Sequence, residues 1–119
     1  IMKLRESVYR HPIGGILVSP ISDTVKLISE HGQIKTTIDR RYCRLAQTPQ
    51  MFRYGELLEE MEYAIKHKKA LTDESSALEQ LGKTITMVEG RADNVKITWA
   101  EDLIFADAII KEQAKLECE

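Results

Sequence analysis

Ile13-Gly14-Gly15-Ile16-Leu17-Val18 is a short apolar run held between Pro12 and Pro20. No helix of ordinary length fits between those prolines. The run therefore reads as a buried strand, and Gly14-Gly15 would let another backbone approach it closely. Upstream, Ile1, Leu4 and Val8 recur at i, i+3, i+7, the spacing of a helix face. No Ser, Thr, Asp or Asn precedes them as an N-cap. The first residue is isoleucine and Met2 follows it, so the expectation is a chain that begins inside a helix, cut from a longer one. His11-Pro12 ends that helix, because proline disfavours helical backbone for the residue before it.

Downstream come two alternating runs, Thr24-Val25-Lys26-Leu27-Ile28 and Ile34-Lys35-Thr36-Thr37-Ile38. The Ser29-to-Gln33 connection carries Gly32, suited to a positive φ, and the whole reads as a β-hairpin. A lone hairpin is marginally stable. Val25, Leu27, Ile34 and Ile38 need cover, from the body of the domain or from a second copy of the chain.

From Phe52 to Lys69 the pattern is an amphipathic helix with Leu57, Leu58, Met61, Ala64 and Ile65 on its apolar stripe. The basic run Lys66-His67-Lys68-Lys69 is read as complement to the helix dipole in preference to an anion patch. Thr72-Asp73-Glu74 opens a second helix, with a capping hydroxyl and then acids. Ala77, Leu78 and Leu81 bury it, and Gly82 stops it. Thr84 to Val88 predicts a strand, Gly90 to Asn94 a loop and Val95-Lys96-Ile97 a very short strand. In that strand Val95 and Ile97 point to the core and Lys96 points out. Thr98-Trp99-Ala100-Glu101 has the form of a capping box. The last helix, apolar on much of its circumference, is expected to lie buried between layers. Strands alternating with helices make this an α/β pattern.

The 119 residues suffice for one domain with its own core, without disulfides or metals. A composition that is 43% hydrophobic and 30% charged excludes disordered and collagen-like classes. A formal charge of -2 argues against a nucleic-acid module held by phosphate electrostatics. Cys43 and Cys118 stand far apart in no motif, and His11, His31 and His67 are scattered, so neither a disulfide scaffold nor a zinc site is expected. A cytoplasmic setting follows as the default. No signal peptide or membrane span is visible.

No glycine-rich nucleotide loop, paired-histidine motif or nucleophile elbow occurs. Anion-friendly groups do stand at element ends: Arg40 after the hairpin, Lys96 before the last helix, and Thr24, Thr48 and Thr72 in turns or at element starts. Each also has a plain structural reading. Thr24 and Thr48 can simply terminate strands, Thr72 can be a cap, and Arg40 and Lys96 can be solvated.

Five blocks carry more. They are Gly14-Gly15-Ile16-Leu17 with Pro20 and Asp23-Thr24-Val25-Lys26; Thr37-Ile38-Asp39-Arg40; Ala46-Gln47-Thr48-Pro49-Gln50-Met51-Phe52; Leu71 to Ala77; and Val88 to Thr98. In order and near-spacing they resemble the 2-C-methyl-D-erythritol 4-phosphate cytidylyltransferases of the non-mevalonate isoprenoid pathway. The resemblance covers nearly all of the chain from Gly14 onward. It implies the C-terminal half of a Rossmann-like nucleotidyltransferase domain with a projecting β-arm at about residues 20–41, all of 1–119 being one partial domain. It implies a homodimer through that arm. The parent reaction would join CTP to the polyol phosphate with Mg²⁺ and release pyrophosphate. Arg40, reaching across from the partner subunit, and Lys96 would position the polyol phosphate, and Thr24, Thr48 and Thr72 would surround the same substrate. The CTP loop and most of the Mg²⁺ site would belong to the other half, leaving this chain inactive alone. Two departures stand out: Cys43-Arg44 where the family usually has Leu-Trp, and Ser75 where it usually has Ala. The alternatives are a non-catalytic dimerisation and phosphate-binding module and a ribitol 5-phosphate cytidylyltransferase.

Overall fold

The computed structural model describes residues 1–116; Cys118 lies outside the described residues. At its centre is strand β1 (Gly14–Pro20), buried at every position but Pro20. On one side it pairs antiparallel with β4 (Arg44–Phe52), on the other parallel with β5 (Thr86–Glu89), giving the order β4-β1-β5. The two glycines serve the close approach that their position suggested. A Cβ on Gly14 would sit 2.5 Å from the Met51 carbonyl oxygen, and one on Gly15 2.5 Å from Thr86 Cγ2. Helix α1 (Met2–Arg10) lays Leu4 and Val8 on Leu17, with Met51 and Val88 at the edge of that cluster. Burying side chains of this size is worth about 1.5–3 kcal/mol each. α1 starts without a side-chain cap. Its C-terminal end is held by Arg53, whose Nη2 donates to the Tyr9 carbonyl at 2.9 Å.

The hairpin forms as expected from β2 (Val25–Ile28) and β3 (Ile34–Ile38), with Gly32 at φ 75°. It is a separate two-stranded sheet. Its apolar residues stay in solvent, Leu27 at 48% exposure and Ile34 at 67%. A single 3-10 turn, Arg40–Tyr42, capped by Asp39, returns the chain to β4. With this arm extended, the radius of gyration is 17.2 Å. A compact domain of this length would have about 13–14 Å.

Several expectations are corrected. The nine-residue strand β4 lies where the sequence pattern marks no element, and the helix that follows, α2 (Tyr54–Lys66), starts after Phe52, which belongs to the strand. The buried line of α2 runs through Glu60 and Ala64; Leu58 and Ile65 are exposed. Glu60 tolerates burial because Lys83 Nζ lies 3.7 Å away, itself bonded to Glu56 at 2.9 Å. The next helix, α3 (Glu74–Gln80), is capped by Asp73 and not by Thr72. Asp73 takes the Ser76 N–H while Ser76 Oγ reaches back to the Asp73 N–H. Ala77 and Leu78 are buried, Leu81 is not, and Gly82 at φ 72° ends the turn.

Residues 95–97 form no strand, and Val95 and Ile97 are exposed. Thr98 and Glu101 make no capping box. Asp102 accepts the Thr98 and Trp99 N–H groups at 2.8 and 2.9 Å, and helix α4 (Asp102–Leu116) begins there. The carboxylate satisfies both donors with charge-assisted hydrogen bonds, which are stronger than those a neutral hydroxyl would accept. None of the residues of α4 is buried; Ile104 is 72% exposed. Its apolar circumference is therefore not packed between layers as expected.

Gly14 gives the sharpest test of the sheet. Its φ of 152° and the absent Cβ are both required. Gly14→Ala should lower the stability of the chain by about 2–4 kcal/mol in urea unfolding, through overpacking and backbone strain. A change under about 0.5 kcal/mol, the range of neutral surface substitutions, would contradict the β1–β4 register.

Candidate functional site

The ladder between β1 and β4 is interrupted in one place. Ile16 faces Gln50 and Leu17 faces Gln47, so Thr48 and Pro49 bulge from the strand. Proline has no N–H to give a ladder and belongs at such a bulge; the Thr48-Pro49 bond is cis. The bulge is fastened to the loop after β5. Asn94 Nδ2 donates to the Thr48 carbonyl at 2.6 Å, and Gln47 Nε2 donates to the Arg91 and Asn94 carbonyls at 2.9 and 3.3 Å. That loop is braced in turn by Arg91, whose Nε and Nη2 hold the Asp93 carboxylate at 2.8 and 2.6 Å. Gln113 of α4 adds a third bond to Asp93 at 3.1 Å. The Arg91 guanidinium pulls the Asp93 carboxyl down to about 2 against a small opposing effect of burial.

Around the bulge opens a cleft of about 690 Å³, within the size of small-ligand sites. β4 supplies Thr48 to its wall, the segment before α3 supplies Thr72, and the stretch before α4 supplies Lys96. These three candidates, each 24 residues from the next, thus share one cavity. Arg40 and Thr24 do not line it. Both belong to the arm, where Arg40 Nη1 donates to the Ser22 carbonyl and, among the described residues, pairs with no carboxylate.

The cleft has one cation among its described lining residues, Lys96, and three carboxylates, Asp73, Glu74 and Asp102. Two of the three are already committed. Asp102 lies below the ordinary aspartate range because it accepts the Trp99 and Thr98 N–H groups. At Asp73 partial burial pushes upward, but hydrogen bonds from Gln50, the Ser76 N–H, Ser75 and the Ser76 hydroxyl outweigh it and hold the carboxyl low. Lys96 and the two threonine hydroxyls remain to meet an anion. The sequence reading missed Gln50, Asp73 and Asn94. Gln50 and Asn94 carry no local signature, because each acts on a segment more than 20 residues away; Asp73 was passed over as the cap in favour of its neighbour Thr72. Ser75, a departure from the family pattern, is 2% exposed with its hydroxyl satisfied by Glu79 at 2.7 Å. At the other departure, Arg44 folds back on the carbonyls of Cys43 and Arg41.

Among the described residues no three His, Cys, Asp or Glu side chains converge to hold a metal ion. No helix among the described residues is long and apolar enough to cross a membrane.

Residues 1–112 match the family described as 2-C-methyl-D-erythritol 4-phosphate cytidylyltransferase. The protein of that name from Vibrio parahaemolyticus is 44% identical over 103 residues, 87% of this chain and 44% of its own length. The Pseudomonas aeruginosa protein is 46% identical over 102 residues, again 44% of its length. Among solved structures, the 4-diphosphocytidyl-2C-methyl-D-erythritol synthase of Anaerococcus prevotii superposes with a TM-score of 0.80 at 28% identity, over 92% of this chain and 51% of that one. The Francisella tularensis 2-C-methyl-D-erythritol 4-phosphate cytidylyltransferase gives 0.79 at 34% identity, over 91% and 51%. The chain thus spans about 44% of the length of the curated relatives it matches.

Proposed function

This chain belongs to the 2-C-methyl-D-erythritol 4-phosphate cytidylyltransferase family, and we propose that it supplies the acceptor side of that reaction in the cytoplasm. The observation that carries the reading is the convergence of Thr48, Thr72 and Lys96 on one cleft. In the reaction, a phosphate oxygen of the polyol phosphate attacks the α-phosphorus of CTP. The bond to the bridging oxygen of the β-phosphate breaks, and its electron pair leaves on pyrophosphate. Such transfers depend on positioning and charge neutralisation more than on covalent help from the protein. Lys96 would neutralise and hold the acceptor phosphate, while Thr48 and Thr72 would donate hydrogen bonds to it.

One lysine beside the uncommitted Glu74 is a thin charge balance for a phosphate dianion. A second cation is available on the arm. Arg40 has no acidic partner among the described residues, and the arm's apolar strands are uncovered. In this reading the arms of two copies interlock, which buries Leu27 and Ile34 and carries Arg40, with Thr24 beside it, to the partner's cleft. CTP and any Mg²⁺ are assigned to residues beyond these 119. The non-catalytic module and the ribitol 5-phosphate enzyme have no observation in their favour.

Pyrophosphate release from CTP and 2-C-methyl-D-erythritol 4-phosphate tests the chemistry. The 119 residues alone should give none, and a protein extended to the family's full length should turn over. In that longer protein, Lys96→Ala should lower kcat/KM by about 100-fold or more, the scale of losing a charged transition-state contact, with CTP binding nearly intact. Unchanged turnover would remove Lys96 from the site, and turnover by the short chain would place the nucleotide site within it.

Sedimentation tests the arm. The chain should run as a dimer at high micromolar concentration, and a variant with Leu27→Lys and Ile34→Lys as a monomer. Two monomers would end the dimer proposal for this chain.

A further inference from the structure

Gln50 stands two residues after Thr48, at the point where β4 rejoins the ladder beyond the bulge. Its side chain reaches α3 and makes two bonds of opposite sense. Nε2 donates to Asp73 Oδ2 at 2.7 Å, and Oε1 accepts the Ser75 N–H at 3.1 Å. Only a carboxamide offers a donor and an acceptor side by side in this way. The partners fix its orientation, since a carboxylate accepts and a backbone N–H donates.

Both partners belong to the first turn of α3, whose N–H groups have no intrahelical acceptor. Asp73 takes the N–H of Ser76, and Gln50 takes that of Ser75 from across the cleft. Gln50 is therefore a second cap on α3, delivered by a strand 25 residues earlier in the chain. The two walls of the cleft meet here: Thr48 is two residues from Gln50, and Thr72 is next to Asp73. Helix α3 otherwise packs on α2.

We propose that Gln50 is a positioning residue whose carboxamide clamps β4 to the start of α3 and so sets the spacing between Thr48 and Thr72 across the acceptor site. The inference rests on the reading of this cleft as that site and deepens it. Methionine at position 50 would keep the length of the side chain, take one hydrogen bond from the Asp73 carboxylate and leave the Ser75 N–H without its acceptor. Asn at position 73 would retain a capping oxygen yet turn an amide N–H₂ toward Gln50, opposing donor to donor.

The test uses Gln50→Met and Asp73→Asn in the family-length protein, with folding checked by thermal unfolding. In each folded variant the KM for the polyol phosphate should rise about tenfold, the scale of a hydrogen bond to a charged group. The KM for CTP should stay within about twofold, the margin within which effects at distant, independent sites add. In the 119-residue chain, the Asp73 carboxyl followed by NMR should titrate at higher pH in Gln50→Met than in the unaltered protein. An unchanged polyol phosphate KM, or both KM values rising together, would overturn the clamp. Unfolding of both variants would overturn it too, by making the contact a strut of the whole fold. Lys96→Ala separates the two layers. Lost turnover there with a normal KM in Gln50→Met defeats the clamp alone. Normal turnover in Lys96→Ala defeats the functional reading, and the Asp73 titration then decides whether the clamp exists.

Discussion

Strand β1 can be a buried central strand only because Gly14 and Gly15 carry no side chains where β4 and β5 press against it. That close approach sets the register with β4, and the register has a gap. Thr48-Pro49 cannot join the ladder and stands out from it. The residues flanking the gap are both glutamines, and each sends its amide away from the sheet: Gln47 to the loop after β5, Gln50 to α3. Three segments remote in sequence are thus referred to a single irregularity in one strand. The cavity is what lies between them.

The electrostatics of that cavity follow from hydrogen bonding more than from charge count. Three acidic residues beside one lysine would suit a cation if all were free. Asp73 and Asp102 are spent on helix N-termini, where backbone N–H groups favour a carboxylate. Asp93, just behind the wall, is taken up by Arg91. With Asp73 and Asp102 engaged, Lys96, the hydroxyls of Thr48 and Thr72 and the one uncommitted acid, Glu74, set the character of the opening. Arg40 lies at the base of the arm, whose Leu27 and Ile34 are uncovered.

Where a segment's own periodicity decided its structure, the sequence was readable. The hairpin around Gly32, the helix carrying Leu4 and Val8, and the stop at Gly82 all stand as the local pattern indicated. β4 was not legible, since an internal Pro49 and a polar Gln47-Thr48 break the alternation that marks a strand. At 95–97, β-branched residues suggested a strand, but no neighbouring strand pairs there. Thr98 and Glu101 matched a capping motif that Asp102, one residue on, displaced by accepting two N–H groups. α4 has the apolar girth of a buried helix and nothing among the described residues covers it. As for the cleft, Lys96, Thr48 and Thr72 stood out as anion-friendly groups at element ends and gained their roles from family resemblance, and no spacing rule links them. Gln50 and Asn94 act through side-chain amides across 25 and 46 residues, a kind of contact that leaves no trace in a single sequence.

The reading of the cavity as the acceptor's place is tested most directly by titrating 2-C-methyl-D-erythritol 4-phosphate into the ¹⁵N-labelled chain and following its amide resonances. The largest shifts should fall on Thr48, Thr72, Lys96 and their immediate neighbours. They should be reduced when Lys96 is replaced by alanine. Shifts confined to residues outside the cleft, such as Met2, Gly90 and Arg91, or a response indifferent to Lys96, would contradict it.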